Sequence, residues 1–220
     1  MRGVFVKICG ITSEEDALLA VAMGADAVGF IMAPSPRQIA VQKVYDITRR
    51  LPPEILTVGV FRDELPARVV ELVGKSGVKA AQLHGHETPE MVAEVMGSVR
   101  TVIKAVTAGT ADAARADAFG TDLVLVDAPA PGSGKVFDWS LLGDVPVGPR
   151  LILAGGLTPE NVGAGIAAAR PWGVDVASGV ESAPGRKDPV KVRRFVAAAR
   201  EHATGEYEGS GPAPYDWMND

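Results

Sequence analysis

An α/β fold, a single (β/α)8 barrel of the TIM type, is what this chain of 220 residues predicts. Three observations point to it. Short runs rich in Val, Ile and Leu recur eight times, at intervals of roughly two dozen residues. Segments with helical periodicity and clear start signals lie between them. The runs are apolar at nearly every position, as strands covered on both faces are. Parallel neighbours need crossover connections, so strict strand–helix alternation implies a parallel sheet. Eight such units in about 200 residues match a closed barrel. The alternative, an open doubly wound sheet, usually has fewer strands.

The strands are expected at 4–9, 27–31, 55–60, 78–83, 101–106, 122–126, 150–154 and 174–177. The helices are expected at 14–23, 41–50, 66–75, 89–97, 110–118, 159–169 and 189–202. Thr12-Ser13-Glu14-Glu15 reads as a capping box opening the first helix, with Thr12 as N-cap and Glu15 at N3. Thr88-Pro89, Thr158-Pro159 and Asp188-Pro189 each set a capping side chain before a proline. At the first helical position the missing proline N–H is no loss. The connection after the sixth strand is the least regular, with a short turn near 137–142. The barrel accounts for residues 1–203 and leaves no room for a second domain. Residues 204–220 read as an acidic, Gly/Pro-containing C-terminal tail: a frayed end, or an aromatic clip carrying Tyr215 and Trp217.

Composition narrows the function. Hydrophobic residues make up 47% and charged residues 22%, which excludes a disordered chain. A lone cysteine excludes a disulfide framework and a Cys-rich zinc site. No apolar run is long enough to span a bilayer; Asp26 and Arg37 interrupt the longest candidate. Lys7 inside the N-terminal apolar stretch argues against a signal peptide. A soluble, cytoplasmic protein without a membrane partner is expected. Net charge is −5, and Glu206, Glu208, Asp216 and Asp220 in the tail hold most of it. A near-neutral body with no basic block argues against nucleic acid as a partner.

In this fold, function sits at the carboxyl ends of the strands. Cys9 ends the first. Strand side chains alternate, so Lys7 and Cys9 share one face and Val6 and Ile8 the other. The apolar pair suits the helix layer, which turns Lys7 and Cys9 inward. Cys9 is then either a packing residue or a thiol facing the barrel mouth. Asp127 ends the sixth strand, as a loop cap or as an acid at the mouth. Together the two can remove and donate protons at two ends of one small substrate. Lys7 is expected to favour the Cys9 thiolate. Ala154-Gly155-Gly156-Leu157 and Ser178-Gly179-Val180-Glu181-Ser182 follow strands seven and eight. Gly155, Gly156, Ser178 and Gly179 there can bring backbone N–H groups to a phosphate, or simply make βα turns. Arg37, after strand two, can fork onto a carboxylate or sit in a surface ion pair. Gly132-Ser133-Gly134-Lys135 fails the full phosphate-loop pattern and reads as an active-site loop. His84 and His86 lack zinc spacing, so no metal is expected. Asp175 inside the eighth strand needs a partner, and Lys7 on the adjacent first strand is a candidate.

At these residues the chain resembles the phosphoribosylanthranilate isomerase family of tryptophan biosynthesis. The resemblance rests on Val6-Lys7-Ile8-Cys9-Gly10, Gly24-Ala25-Asp26-Ala27-Val28-Gly29-Phe30, Ser35-Pro36-Arg37, Gln82-Leu83-His84-Gly85, Leu153-Ala154-Gly155-Gly156-Leu157-Thr158-Pro159-Glu160-Asn161 and Gly173-Val174-Asp175-Val176-Ala177-Ser178-Gly179-Val180-Glu181. It implies an Amadori rearrangement of N-(5′-phosphoribosyl)anthranilate to 1-(2-carboxyphenylamino)-1-deoxyribulose 5-phosphate, with no cofactor or metal. It implies Asp127 as general acid, Cys9 as general base, Arg37 on the anthranilate carboxylate and the two Gly loops on the phosphate. The partner implied is a small phosphosugar substrate; the expected assembly is a monomer or homodimer. The sister isomerase of histidine biosynthesis is similar in fold and reaction but carries an aspartate where Cys9 stands.

Overall fold

The computed structural model describes residues 3–128, 139, 141, 145–146 and 150–203. The Gly132–Lys135 loop, most of the 137–142 turn and the tail from 204 lie outside these residues. The chain runs β1 (Phe5–Ile8), α1 (Glu14–Ala22), β2 (Ala27–Ile31), α2 (Val41–Thr48), β3 (Leu56–Phe61), α3 (Pro66–Ser76), β4 (Ala80–Leu83) and α4 (Pro89–Met96). It continues through β5 (Thr101–Thr107), α5 (Ala111–Ala114), a 3-10 turn (Ala116–Phe119), β6 (Leu123–Asp127), β7 (Arg150–Leu153), α6 (Val162–Ala169) and β8 (Gly173–Val176). A second 3-10 turn (Ser178–Val180), a short hairpin of β9 (Glu181–Ala183) and β10 (Arg186–Lys187), and α7 (Pro189–Glu201) complete it. The eight long strands close in sequence order into one parallel barrel, β8 pairing back onto β1. Among the described residues no helix is long and apolar enough to cross a membrane.

Strand parity sorts the side chains into two layers. Val4, Val6 and Ile8, Val124 and Val126, and Val174 and Val176 join the outer core against the helices. Phe5, Leu56, Val58, Ile103, Leu123, Leu125 and Ile152 fill the barrel interior. Phe5 stacks on Trp172 with ring centroids 4.5 Å apart, plugging the amino-terminal end. The same parity turns Lys7, Cys9, Asp127 and Asp175 inward, toward the carboxyl end. At the closing seam Lys7 stands opposite Asp175 in register. Arg200 on α7 reaches the Val4 carbonyl and, at 2.7 Å, the Asp26 carboxylate, tying the last helix to the first two strands.

Four helix starts test the capping arguments. Thr88 accepts from the Met91 N–H, and Asp188 from the Val190 and Lys191 N–H groups, with Pro89 and Pro189 as first helical residues. The cap of α1 is Ser13, one residue later than expected; it accepts from the Asp16 N–H. Thr12 is occupied elsewhere, its hydroxyl donating to the Gly185 carbonyl at 2.5 Å. α6 starts at Val162 rather than 159. Residues 158–161 form a turn instead, in which Asn161 Oδ1 accepts from the Thr158 N–H and Asn161 Nδ2 donates to the Gly156 carbonyl. The helix expected over 110–118 is divided by Arg115 into α5 and a 3-10 turn.

Candidate active site

The first cluster forms at the end of β1. Cys9 and Lys7 both point at Gly29 on β2. A Cβ placed at Gly29 meets Cys9 Sγ at 2.8 Å and Lys7 Nζ at 3.1 Å, so the glycine makes the space both groups share. Lys7 is fully buried, and its Nζ donates to Asp175 Oδ1 at 2.9 Å. The partner anticipated for Asp175 is therefore the one it has. Burial alone draws the Lys7 ammonium down, but Asp175 and the Cys9 thiol outweigh it and hold its pKa above the ordinary value.

Cys9 departs from expectation. Its thiol pKa is raised, not depressed. Burial is the dominant cause; Lys7 pulls the other way, Asp175 adds to the rise, and Lys187 opposes it more weakly. Removing water from a thiolate disfavours the charged form, and one adjacent ammonium already shared with a carboxylate does not fully compensate.

Arg37 is also engaged. Its Nε and Nη2 donate to the two oxygens of Glu181, each at 2.8 Å, a two-pronged charge-assisted pair. The Glu181 bonds raise the Arg37 pKa further. Burial pushes the Glu181 carboxyl up, but Arg37 and Lys187 more than offset it and hold it low. The Arg37 stem lies over Gly10, where a Cβ falls 2.7 Å from its Cδ; Gly10 has φ +73. Two of the five guanidinium N–H groups face Glu181, and three point elsewhere. Glu181 and its second cation, Lys187, were not singled out from the sequence. Lys187 Nζ is fully buried, 3.1 Å from Glu181 Oε1 and 3.0 Å from the Ala177 carbonyl.

Asp127 ends β6, three strands around the ring from β1. It is 8% exposed. Its Oδ1 accepts from the Ala128 N–H at 2.7 Å, and its Oδ2 lies 3.3 Å from His84 Nε2. The loop-capping contact and the mouth position thus coexist. His84 Nδ1 lies 3.2 Å from Gln82 Nε2. With the amide donating to Nδ1, the His84 proton sits on Nε2, aimed at Asp127; the reversed amide, which would give the buried Gln82 Oε1 a donor, puts the proton on Nδ1. Alternation along Ala80, Gln82 and His84 carries the signal that the sequence reading passed over.

The glycine loops meet beside the mouth. Gly155 and Gly156 have φ +83 and +68. A Cβ on Gly155 falls 2.4 Å from the Ala128 nitrogen, and one on Gly179 falls 1.9 Å from the Leu157 carbonyl oxygen. Only glycine allows this approach of backbones. Among the described residues, the N–H groups of Gly156, Ser178 and Gly179 pair with no carbonyl outside their own turns. They border a cleft of about 350 Å³ that Thr158, Lys191 and Arg194 also line. Neither Cys9 nor Asp127 is among the residues that line it. Among the described residues no group of three or more His, Cys, Asp or Glu side chains is arranged to hold a metal ion.

A parallel eight-stranded barrel with a thiol and a carboxyl at its mouth and glycine loops after β7 and β8 defines a barrel enzyme acting on a small phosphorylated molecule. Comparison with known proteins gives the family. A model of N-(5′-phosphoribosyl)anthranilate (PRA) isomerase matches residues 6–198. The N-(5′-phosphoribosyl)anthranilate isomerase of Desulforudis audaxviator is 48% identical over 203 residues, covering 89% of this chain and 98% of its own. The crystal structure of phosphoribosyl anthranilate isomerase from Thermus thermophilus superposes with a TM-score of 0.83 at 41% identity, covering 90% of this chain and 99% of that one. A phosphoribosyl anthranilate isomerase solved in complex with reduced 1-(o-carboxyphenylamino)-1-deoxyribulose 5-phosphate does so with a TM-score of 0.79 at 38% identity and the same coverage. The chain belongs to the N-(5′-phosphoribosyl)anthranilate isomerase family, and its activity is the isomerisation step of tryptophan biosynthesis.

Proposed function

We propose that Asp127 and Cys9 divide the proton transfers of an Amadori rearrangement of N-(5′-phosphoribosyl)anthranilate. Asp127 gives its proton to the furanose ring oxygen as the C1′–O bond breaks and the anilino nitrogen forms a C=N bond. His84 Nε2 and the Ala128 N–H then hydrogen-bond the carboxylate left behind. The Cys9 thiolate removes the C2′ proton, and the electrons move into the iminium to give an enaminol. Ketonisation takes up a proton at C1′ and releases one from the C2′ hydroxyl. A proton passing from Cys9 to Asp127 through solvent resets the site. Burial makes the thiolate the minority form but a stronger base per molecule. Arg37, held flat by Glu181, binds the anthranilate carboxylate through its remaining N–H groups. Gly155, Gly156, Ser178 and Gly179 shape the phosphate site. The scheme uses no cofactor or metal.

The observation that carries this reading is the inward placement of Cys9 and Asp127 at the ends of β1 and β6 in one closed barrel. Cys9→Ala and Asp127→Asn should each lower kcat by ~10²–10⁴-fold with little change in KM. Assays follow the fluorescence of the anthranilate substrate. Near-full kcat in a folded Cys9→Ala protein refutes the assignment of the base. The reading extends to a barrel domain over 1–203 with an accessory tail over 204–220, acting in the cytoplasm as a monomer or homodimer. Phosphorylated sugars do not diffuse across membranes, which supports the location. Light scattering of the purified chain decides the assembly.

A further inference from the structure

The groups around Cys9 do not balance. Lys7 on β1 and Asp175 on β8 neutralise each other. Arg37, after β2, and Lys187 on β10 share one carboxylate, Glu181 on β9. Three cations and two carboxylates, all with side chains at least 86% buried, therefore gather beside one thiol; at the edge of the cluster Asp16, which accepts the Lys187 N–H, and Lys191, whose Nζ donates to the Glu181 carbonyl, offset each other. With the thiol protonated, the cluster carries one excess positive charge; with the thiolate, it is neutral. The excess originates in the Arg37–Glu181–Lys187 triad, not in the Lys7–Asp175 pair.

The hairpin that carries the triad is built onto the mouth. The Lys187 N–H donates to Asp16 Oδ2 at 3.1 Å, and the Gly185 carbonyl accepts from Thr12. Gly185 Cα packs so that a Cβ there lies 3.3 Å from Thr12 Cγ2 and 3.6 Å from the Pro36 carbonyl oxygen. Lys187 thus reaches inward from a strap anchored on the loops after β1 and β2. Burial lowers the Lys187 pKa, with Glu181 and Cys9 acting against that fall.

We propose that Lys187 is a positioning residue for the isomerisation, supplying the uncompensated charge that lets the buried Cys9 act as a thiolate. Glu181 sets the size of that excess by sharing itself between Lys187 and Arg37. The proposal rests on Cys9 being the base, but its test does not. Cys9 is the lone cysteine, so thiolate absorbance at 240 nm and the pH dependence of iodoacetamide alkylation report it alone.

Lys187→Met should raise the Cys9 titration midpoint by about one pH unit, the effect of a unit charge within about 10 Å at an effective dielectric of about 20. Glu181→Gln should move it down by a similar amount, because the excess charge grows. Lys187→Arg should leave it near the parent value. The acid limb of kcat/KM should shift with the titration in each variant. Opposite shifts from neighbouring substitutions are not produced by loosened packing, and the Glu181→Gln arm stands even if Lys187→Met does not fold. Titration midpoints that stay put in both neutralised variants overturn the proposal. So does a Lys187→Met protein with unchanged titration and a raised KM, which would assign the charge to the substrate carboxylate. Shifted titrations with an unshifted rate profile keep Lys187 as the thiolate's counter-charge but remove Cys9 as the base, separating the two failures.

Discussion

Lys7→Met gives the sharpest test of how this barrel is held shut. Methionine keeps most of the buried stem of Lys7 and deletes its charge, leaving Asp175 at 8% exposure without the ammonium 2.9 Å away. Stripping one partner from a buried ion pair typically costs ~3–5 kcal/mol, because the other charge stays desolvated. At ~2–4 °C per kcal/mol for a chain of this size, Tm should fall by roughly 6–20 °C. Replacing the whole pair, as in Lys7→Met with Asp175→Leu, should recover most of that loss. The pH dependence has a definite sign. Burial opposes the Lys7 charge, but Asp175 and Cys9 raise its folded pKa above the ordinary value. Its contribution is therefore complete below the unfolded pKa of about 10.4 and fades as pH rises through the folded one. Calorimetry at pH 7.5 should show the full gap between parent and single variant, and the gap should narrow well above pH 10.4. A single variant within 1 kcal/mol of the parent, or a double variant no more stable than the single one, refutes the reasoning.

Gly179→Ala should act on the phosphate rather than on the proton transfers. Its Cβ cannot coexist with the Leu157 carbonyl at 1.9 Å, so the loops after β7 and β8 must part. KM should rise by about tenfold or more with a smaller loss in kcat, and inorganic phosphate should inhibit the variant less well. An unchanged KM would place the phosphate elsewhere. Truncation after Ala203 should leave kcat within a few-fold of the parent, since Arg200 still joins α7 to Asp26 and Val4. Lost activity in a folded truncated protein would show that the tail reaches the active site.

Much of the architecture was legible because it depends on local pattern. The eight apolar runs become the eight strands, with ends differing by at most two residues. Strand alternation turned Lys7 and Cys9 inward, and barrel closure made Asp175 the neighbour of Lys7. The errors came where a side chain had a more distant use. Thr12 leaves the cap of α1 to Ser13 because its hydroxyl serves Gly185, far along the chain. Thr158 closes a loop with Asn161 beside the cleft instead of capping α6 with its side chain. Arg37 is gripped by Glu181, 144 residues away, and nothing in Ser35-Pro36-Arg37 signals that grip.

The thiol shows most clearly why a local reading stops short. Lys7 stands two positions from Cys9 on the same face, and that proximity alone predicts a depressed thiol pKa. The ammonium does lower it, but Asp175 arrives from β8 to share Lys7, and barrel closure removes the water that would solvate a thiolate. Desolvation wins because it acts on the whole anion, whereas Lys7 offers only the part of its field that Asp175 leaves uncancelled. What offsets the rise must then come from a cation that is not cancelled locally. Lys187 fits that requirement because Glu181, its carboxylate partner, is already committed to Arg37. The charge state of Cys9 is thus a property of five elements meeting at one seam, and no stretch of the chain contains it.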